Sequence, residues 1–352
     1  MKLIRTEDAV GAVLCHDITQ IIPGVTKDAR FRKGHIVTKE DIPVLLSLGK
    51  DNLYVWEKKK GILHEDEAAE ILCGMCMGEH MSRSEAKEGK IELRAECDGL
   101  FKVNRAGLRA VNGFGQMMIG TRFGDVPVRK GDKLAGTRVI PLVIEEEKMM
   151  AAKKACMEAA GGEPILSLLP FVRKKAAIVT TGNEVYYGRI EDRFTPVVEK
   201  KLGEYPAEII GHEILNDDDR KVTAAILEMI EKGADLVCCT GGMSVDPDDR
   251  TPLAIKNTGA RIVTYGAPVL PGAMFLLAYY EVKEGPNPRT VAIMGLPGCV
   301  MYSRRSIFDL VLPRVMADDV ITAEELAGLG EGGLCLNCPE CHFPDCTFGK
   351  GR

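Results

Sequence analysis

At 352 residues the chain exceeds the roughly 100–200 residues of a usual domain, so two or three domains are expected. A net charge of −5 creates no broad field for phosphates and a 5% aromatic share gives no stacking platform, so nucleic-acid binding is excluded as a main role. The start MKLIRTEDAV lacks an apolar signal core and no run approaches the roughly 18 apolar residues of a membrane span, so a cytoplasmic protein without membrane contact is expected.

Residues 1–60 read as a small β-rich module with one helix. Phe31, Arg32, Lys33 and Gly34 turn the chain into a strand at 35–37, and Thr38, three residues before Asp41, predicts the cap of a helix carrying Ile42, Val44, Leu45, Leu46 and Leu48. Gly49 ends that helix and residues 53–56 predict another strand.

Residues 61–145 follow as a helix plus a β-barrel-like module. The helix spans 65–76, through Ala68, Ala69, Ile71 and Leu72, and strands are expected at 90–95, 101–103, 117–122 and 132–140. Arg-Lys-Gly occurs at 32–34 and again at 129–131, a faint echo that falls short of a repeat. Cys73 and Cys76 have the spacing of a redox or metal half-site, but no second pair lies in the module, and buried structural thiols are the expected reading.

Residues 146–173 are assigned as a linker. A charged, Ala-rich helix over 145–162 leads out of the β region, and Gly161, Gly162, Glu163 and Pro164 mark the boundary.

From Lys175 onward strands and helices alternate, the signature of an α/β domain. Strands are predicted at 176–180, 208–215, 236–240, 261–265, 275–282 and 290–294, with helices at 193–202, 249–256 and 300–315. A further helix buries Val222, Ala225, Ile226, Met229 and Ile230 at spacings of three and four. The first three strands end in polar or acidic residues: Thr181, Gly182 and Glu184; Asp217 and Asp218; then Gly241, Gly242, Ser244, Asp246 and Asp249. Ligands of parallel sheets bind outside the carboxyl ends of the strands, so these loops are where chemistry is expected. An ordinary strand-to-helix loop capped by an Asp would carry the same glycines. Pro271-Gly272 and Pro297-Gly298 are turns, and the second, placed at the entrance of the 300–315 helix, predicts N–H groups offered to an anion.

Four ordered motifs carry a resemblance. TTGNEV at 180–185, TGGMSVDPDD at 240–249, VLPGAM at 269–274 and MGLPG at 294–298 resemble the molybdopterin-binding domain shared by molybdopterin molybdotransferases, molybdopterin adenylyltransferases and gephyrin. The likeness covers roughly 140 residues within 174–316. It implies a three-layer αβα domain with a mostly parallel sheet, preceded by the β-rich modules, that binds the pterin dithiolene and handles Mg²⁺ with molybdate or ATP.

By the same likeness Glu184, Asp217 and Asp249 are the catalytic candidates. Thr181, Gly182, Gly241, Gly242, Ser244, Asp246, Pro271, Gly272, Gly295, Pro297 and Gly298 are the cofactor-binding candidates. Three departures stand out: Ala273 where the transferases carry Lys, Cys299-Val300 where they carry Asn-Pro, and Pro247 in place of an acid. The implied role is molybdenum cofactor biosynthesis, by Mg²⁺-dependent molybdate transfer or adenylylation of molybdopterin in a homo-oligomer. A non-catalytic carrier is the alternative, and a nucleotide hydrolase or amidase a third.

Residues 317–352 form a tail. Eight of the twelve cysteines are dispersed, but Cys335, Cys338, Cys341 and Cys346 fall within twelve residues. Four thiols at that density can enclose Zn²⁺ or an iron–sulfur cluster, with unstructured thiols or redox sensing as the alternative.

Overall fold

The structure is a computed structural model that describes residues 2–22, 26–55, 59–283 and 288–351. The chain divides into two compact units: Met1–Glu96, Val103–Arg122 and Gly131–Ser167 form the first, and Cys97–Lys102, Phe123–Lys130 and Leu168–Arg352 the second.

In the first unit, Lys2–Arg5 pairs antiparallel with Asn52–Val55 and Ile18–Ile22 pairs with Thr26–Phe31. Trp56, the expected end of the strand at 53–56, lies outside the described residues. The core here gathers Leu14, Ile18, Phe31, Val37, Leu45 and Leu53. The helix is Asp41–Ser47, entered from Glu40 and not capped by Thr38: the Thr38 N–H and hydroxyl donate to the Asp41 carboxylate at 2.8 and 2.9 Å, which ties the preceding turn to the first helical residue. Farther on, the helix Glu65–Cys76 buries Cys73 and Cys76 along with Ala68, Ala69 and Leu72, so these two thiols are packing groups. A four-stranded antiparallel sheet follows, in the order Met81–Arg83, Lys90–Ala95, Lys133–Val139, Met117–Thr121. After Gly34 the chain makes only a single bridge, Val13 to Ile36, whereas after Gly131 it makes a seven-residue strand, so the two Arg-Lys-Gly turns have different sequels.

The second unit holds the α/β domain. Its sheet strands are β1 (Lys174–Thr181), β2 (Ala207–Leu215), β3 (Leu236–Thr240), β4 (Arg261–Tyr265), β5 (Leu276–Val282) and β6 (Arg289–Leu296). They lie in the order β2-β1-β3-β6-β5-β4. The first four in that order pair parallel, and β5 pairs antiparallel with both β6 and β4, so β5 alone is reversed. Helices α1 (Thr195–Leu202), α2 (Asp219–Glu231), α3 (Thr251–Asn257) and α4 (Ile307–Met316) cover the two faces.

Alternation of side chains along each strand builds the layers. Ala176, Ile178, Leu236, Cys238 and Met294 face Val198 and Leu202 of α1 and Ile307, Phe308 and Val311 of α4. Ala177, Val179, Val237, Cys239 and Ile293 face Val222, Ile226 and Met229 of α2 and Ala254 and Ile255 of α3. With both faces covered, β3 is buried at every position, which is why its sequence shows no alternation of apolar and polar.

One expected helix is corrected. Residues 300–315 do not form one helix from the Pro297-Gly298 turn: Gly298–Met301 is a short 3₁₀ turn and α4 begins at Ile307. The cause is a charged cap. The Ser306 hydroxyl accepts from the Phe308 N–H at 3.3 Å, and the Asp309 carboxylate accepts from the Ser306 N–H at 2.8 Å. Asp309, almost fully buried, is paired at 2.7 Å with Lys201 of α1 and at 2.8 Å with Arg305. Moving the start of the helix would leave that carboxylate buried without these partners. The first N–H of α4 donates to the Pro271 carbonyl at 3.1 Å, so it is already used inside the protein.

Candidate functional site

The register of the parallel strands brings their carboxyl ends level. Thr180 of β1 lies beside Thr240 of β3, Thr240 beside Leu296 of β6, and Thr181 beside Leu215 of β2. The loops after these strands therefore open at one edge of the sheet, and two cavities lie there, sharing Gly241.

Backbone approach fixes that shared point. Gly241 has φ +82°, and a Cβ there would sit 2.0 Å from the Thr181 carbonyl oxygen, so no other residue fits without moving the end of β1. The hydroxyl of Thr181 donates to the Thr240 carbonyl at 3.3 Å and lies 3.0 Å from the hydroxyl of Thr251, at the start of α3. Thr251 in turn donates its N–H to the Gly242 carbonyl at 3.1 Å. The glycine loop is held at both ends.

The first cavity, of about 510 Å³, is lined with side-chain polar groups: Thr180, Thr181, Glu184, Asp192 and Thr240, beside Gly241. Behind its wall runs a chain of hydroxyls. Thr240 donates to Thr180 at 3.1 Å, and the Thr180 and Thr195 hydroxyls each lie 3.1 Å from Nε2 of His212. Thr195 donates to Asp192 at 2.6 Å, and the same carboxylate accepts from the N–H groups of Phe194 and Thr195 at 2.8 and 3.1 Å. Burial alone would raise the Asp192 carboxyl, but these bonds outweigh it and hold the group below the usual carboxylate range.

The second cavity, of about 460 Å³, is made mostly of turns. Gly242, Ser244 and Asp249 come from the glycine loop, Pro271 to Met274 from the first Pro-Gly turn, and Pro297 to Cys299 from the second. Gly272 is required by its surroundings as Gly241 is: at φ +135°, a Cβ would stand 2.4 Å from Cγ2 of Ile307 at the head of α4.

Glu184 is exposed at the mouth of the first cavity, on the short helical turn Asn183–Tyr186, and Asp249 lines the second. Asp217 accepts from the Asn183 N–H at 2.9 Å, which ties the loop after β2 to the loop after β1. Burial pushes the Asp217 carboxyl above its usual range, and the charges of Glu184, Asp249 and Asp248 push the same way against the Asn183 bond. Asp217 is thus within electrostatic reach of both other catalytic candidates. Among the described residues, though, no three His, Cys, Asp or Glu groups stand together as a set able to hold a metal ion.

Of the remaining candidates, Gly182 takes φ +139°, a glycine conformation at the start of the Glu184 turn, and Asp246 is exposed, its carbonyl accepting the Asp249 N–H at 2.9 Å. Gly295 lies within β6, where a Cβ would meet the Met243 side chain at 2.7 Å, so it supports the loop from beneath. Cys335, Cys338, Cys341 and Cys346 line a separate cavity in the tail. Sequence reasoning missed Asp192, His212 and the buried threonines Thr180, Thr195 and Thr240. The only signal was Asp192 three residues ahead of Thr195, and nothing in the sequence ties that pair to His212 of β2.

Residues 177–317 match the family model described as "Probable molybdopterin binding domain", and residues 3–57 match a domain of unknown function. A stretch of 85 residues is 34% identical to a molybdenum cofactor biosynthesis bifunctional protein of Synechococcus elongatus, covering 24% of this chain and 27% of that protein. A stretch of 80 residues is 36% identical to a CinA-like protein of Mycobacterium tuberculosis, covering 23% of this chain and 19% of that one. The chain thus spans about a quarter or less of the length of these curated relatives. Among solved structures, the tungsten cofactor synthesizing protein MoaB from Pyrococcus furiosus aligns with 41% of this chain and 88% of its own, at 20% identity and a TM-score of 0.30. The covered, mostly parallel sheet and the family match fall on the same stretch of chain, and residues 177–317 belong to the molybdopterin-binding domain family.

Proposed function

We propose that the α/β domain binds molybdopterin across the two cavities that meet at Gly241 and that the protein acts in molybdenum cofactor biosynthesis, by molybdate transfer to, or adenylylation of, the bound pterin. One observation carries this reading: the level ends of β1, β3 and β6 deliver one glycine to two cavities of about 510 and 460 Å³, one polar and one built of turns. The polar cavity suits the hydrogen-bonding edge of a pterin, with Glu184 accepting from its amino groups. The turn cavity, with Ser244 and the Pro-Gly backbones, suits a phosphate.

Mg²⁺ fits the donor chemistry of the rim, because that ion is commonly held by one or two carboxylates plus substrate phosphate oxygens and water, and needs no complete protein cage. One or two of Glu184, Asp217 and Asp249 would hold it. When bound it would neutralise phosphate or molybdate charge that the acidic rim otherwise repels. The chain's own residues orient the ligand: Thr181 and Gly241 fix the floor, and the Asn183–Asp217 bond holds Glu184 at the rim.

The test is the full chain with molybdopterin, Mg²⁺ and either molybdate or ATP, assayed for product. Glu184→Ala should lower turnover by about 100-fold, the scale of losing one preorganised electrostatic group, with stability within about 0.5 kcal/mol because the side chain is exposed. A variant as active as the parent removes the assignment.

A carrier without turnover is the second reading, and Ala273 favours it. This residue lines the turn cavity where the resembled transferases place a lysine, so among the described residues the lining offers no ammonium to a phosphate or molybdate. Binding with no product in the same assay would select it. Ala273→Lys should then tighten molybdopterin binding by about fivefold at low salt, the scale of one partly exposed charge pair.

A further inference from the structure

We propose that the C-terminal tail is a four-thiolate metal centre, taking a single Zn²⁺ or an iron–sulfur cluster, and that loading it braces the turn-lined cavity of the α/β domain. The metal half of this inference stands without the functional reading above.

All four clustered cysteines are free thiols, and all four line one cavity of about 60 Å³, together with His342 and Arg304. From 335 to 349 the chain forms no helix or strand, yet its ends are fixed. The Cys335 N–H donates to the Leu270 carbonyl at 2.8 Å, the Leu270 N–H donates to the Gly333 carbonyl at 2.8 Å, and Phe348 is buried in the domain core. Between these anchors Cys338 and Cys341 are exposed. A long irregular loop that brings four reduced thiols to one cavity, two of them open to solvent, has little regular hydrogen bonding of its own to hold it. Metal–thiolate bonds supply such cohesion directly.

The charge around the cavity fits. Four thiolates around Zn²⁺, or around a cubane in its usual oxidised state, carry a net charge of about −2. Arg304 lines the cavity and donates to the Pro339 carbonyl at 2.7 Å, which makes it the cation for that charge, since Arg305, also in the lining, is already paired with Asp309 at 2.8 Å. The thiols are not yet gathered, since among the described residues no three potential ligands stand as a metal-holding set. Closure on a metal therefore calls for movement of the exposed stretch that carries Cys338 and Cys341, with the anchored ends staying in place.

The anchors are what connect the tail to the cavity. Leu270 immediately precedes Pro271 and Gly272, and Arg304 follows the 3₁₀ turn Gly298–Met301 by three residues. The tail therefore grips the first Pro-Gly turn of the second cavity through the backbone of Cys335, and through the Arg304 guanidinium it holds the segment that leads from the second turn to α4.

The full chain, purified without oxygen, should contain about one zinc, or about four irons and four sulfides with broad absorption near 400 nm, per molecule. Protein isolated without metal is offered Zn²⁺ alone or Fe²⁺ with sulfide, which separates the two sources. The double variant Cys338→Ser/Cys341→Ser, at two exposed positions, should fold with an unchanged circular dichroism spectrum and hold at least tenfold less metal. Metal-free protein should exchange amide hydrogens severalfold faster at residues 269–275 and 296–305, with the helix Glu65–Cys76 as an unaffected reference. No metal from either source, or metal retained by the double variant, overturns the centre. Equal exchange with and without metal overturns the bracing.

Discussion

The two cavities that meet at Gly241 are made of opposite materials. One is walled by side chains, in a relay from Thr240 through Thr180 and Thr195 to Asp192 and His212. The other is shaped by backbone, through the glycine loop and two Pro-Gly turns, with Ser244 and Asp249 among its few polar side chains. Side-chain walls discriminate by hydrogen bonding, because leaving a buried donor or acceptor unmatched costs about 1–3 kcal/mol. Turn-built walls discriminate by shape and tolerate side-chain exchange, except where a Cβ has no room. The difference teaches that substitutions should act through chemistry in the first cavity and through geometry in the second.

Breaking the point common to both should have the largest effect. Gly241→Ala places a methyl 2.0 Å from the Thr181 carbonyl at a positive φ, and it should cost about 3 kcal/mol or more in urea unfolding and abolish ligand binding. A variant within 1 kcal/mol of the parent would mean that the β1 and β3 ends do not approach as described.

The side-chain cavity is sharpened by Asp192→Asn. This change weakens three bonds to an ionised acceptor and should cost about 1–2 kcal/mol at pH 7, reduced by solvent screening at a partly exposed group. The folded-state pKa of Asp192 is depressed, so the stability it contributes is present above the ordinary Asp value and is lost as pH falls through the folded value. The parent–variant gap should close in acid, and a pH-independent gap would assign the loss to packing.

Asp217→Asn should have the smallest effect and the opposite sign. The raised folded-state pKa of Asp217 means that its favourable contribution is present below the ordinary Asp value and is lost as pH rises through the folded value. Asn keeps an acceptor for the Asn183 N–H and removes the repulsion from Glu184, Asp248 and Asp249. The variant should therefore equal or slightly exceed the parent in stability at pH 7, by less than about 1 kcal/mol. Titration of the pair by chemical denaturation checks it, and a clear loss at neutral pH would show that the acids are not mutually repelling.

Much of the α/β half is legible in its residues because local signals and tertiary demands agree there. The run Leu236–Thr240 is wholly apolar or β-branched apart from its two cysteines, and the fold buries all of it. The spacing of Val222, Ala225, Ile226, Met229 and Ile230 names the face that α2 buries. The start of α4 was legible and was missed: the polar run 302–306 interrupts the apolar pattern, and Ser306 three residues ahead of Asp309 has the spacing of a capping box, which the buried pairing of Asp309 with Lys201 and Arg305 then locks. Asp192 and His212 were missed for a different reason: they reach the site from a loop and an edge strand, and no spacing connects them.

By itself the sequence determined which segments become covered strands, where the glycines and acids fall relative to their ends, and the resemblance those motifs carry. These are properties of neighbours within a few residues, fixed by side-chain periodicity and by the conformations open to glycine and proline. Tertiary structure alone decided that one glycine serves two cavities, that a hydroxyl relay backs one of them and that the cysteine tail is tied to a turn of the other. Each of those depends on strand register and on contacts between residues far apart in the chain, where desolvation and hydrogen bonding are settled only once the sheet has closed.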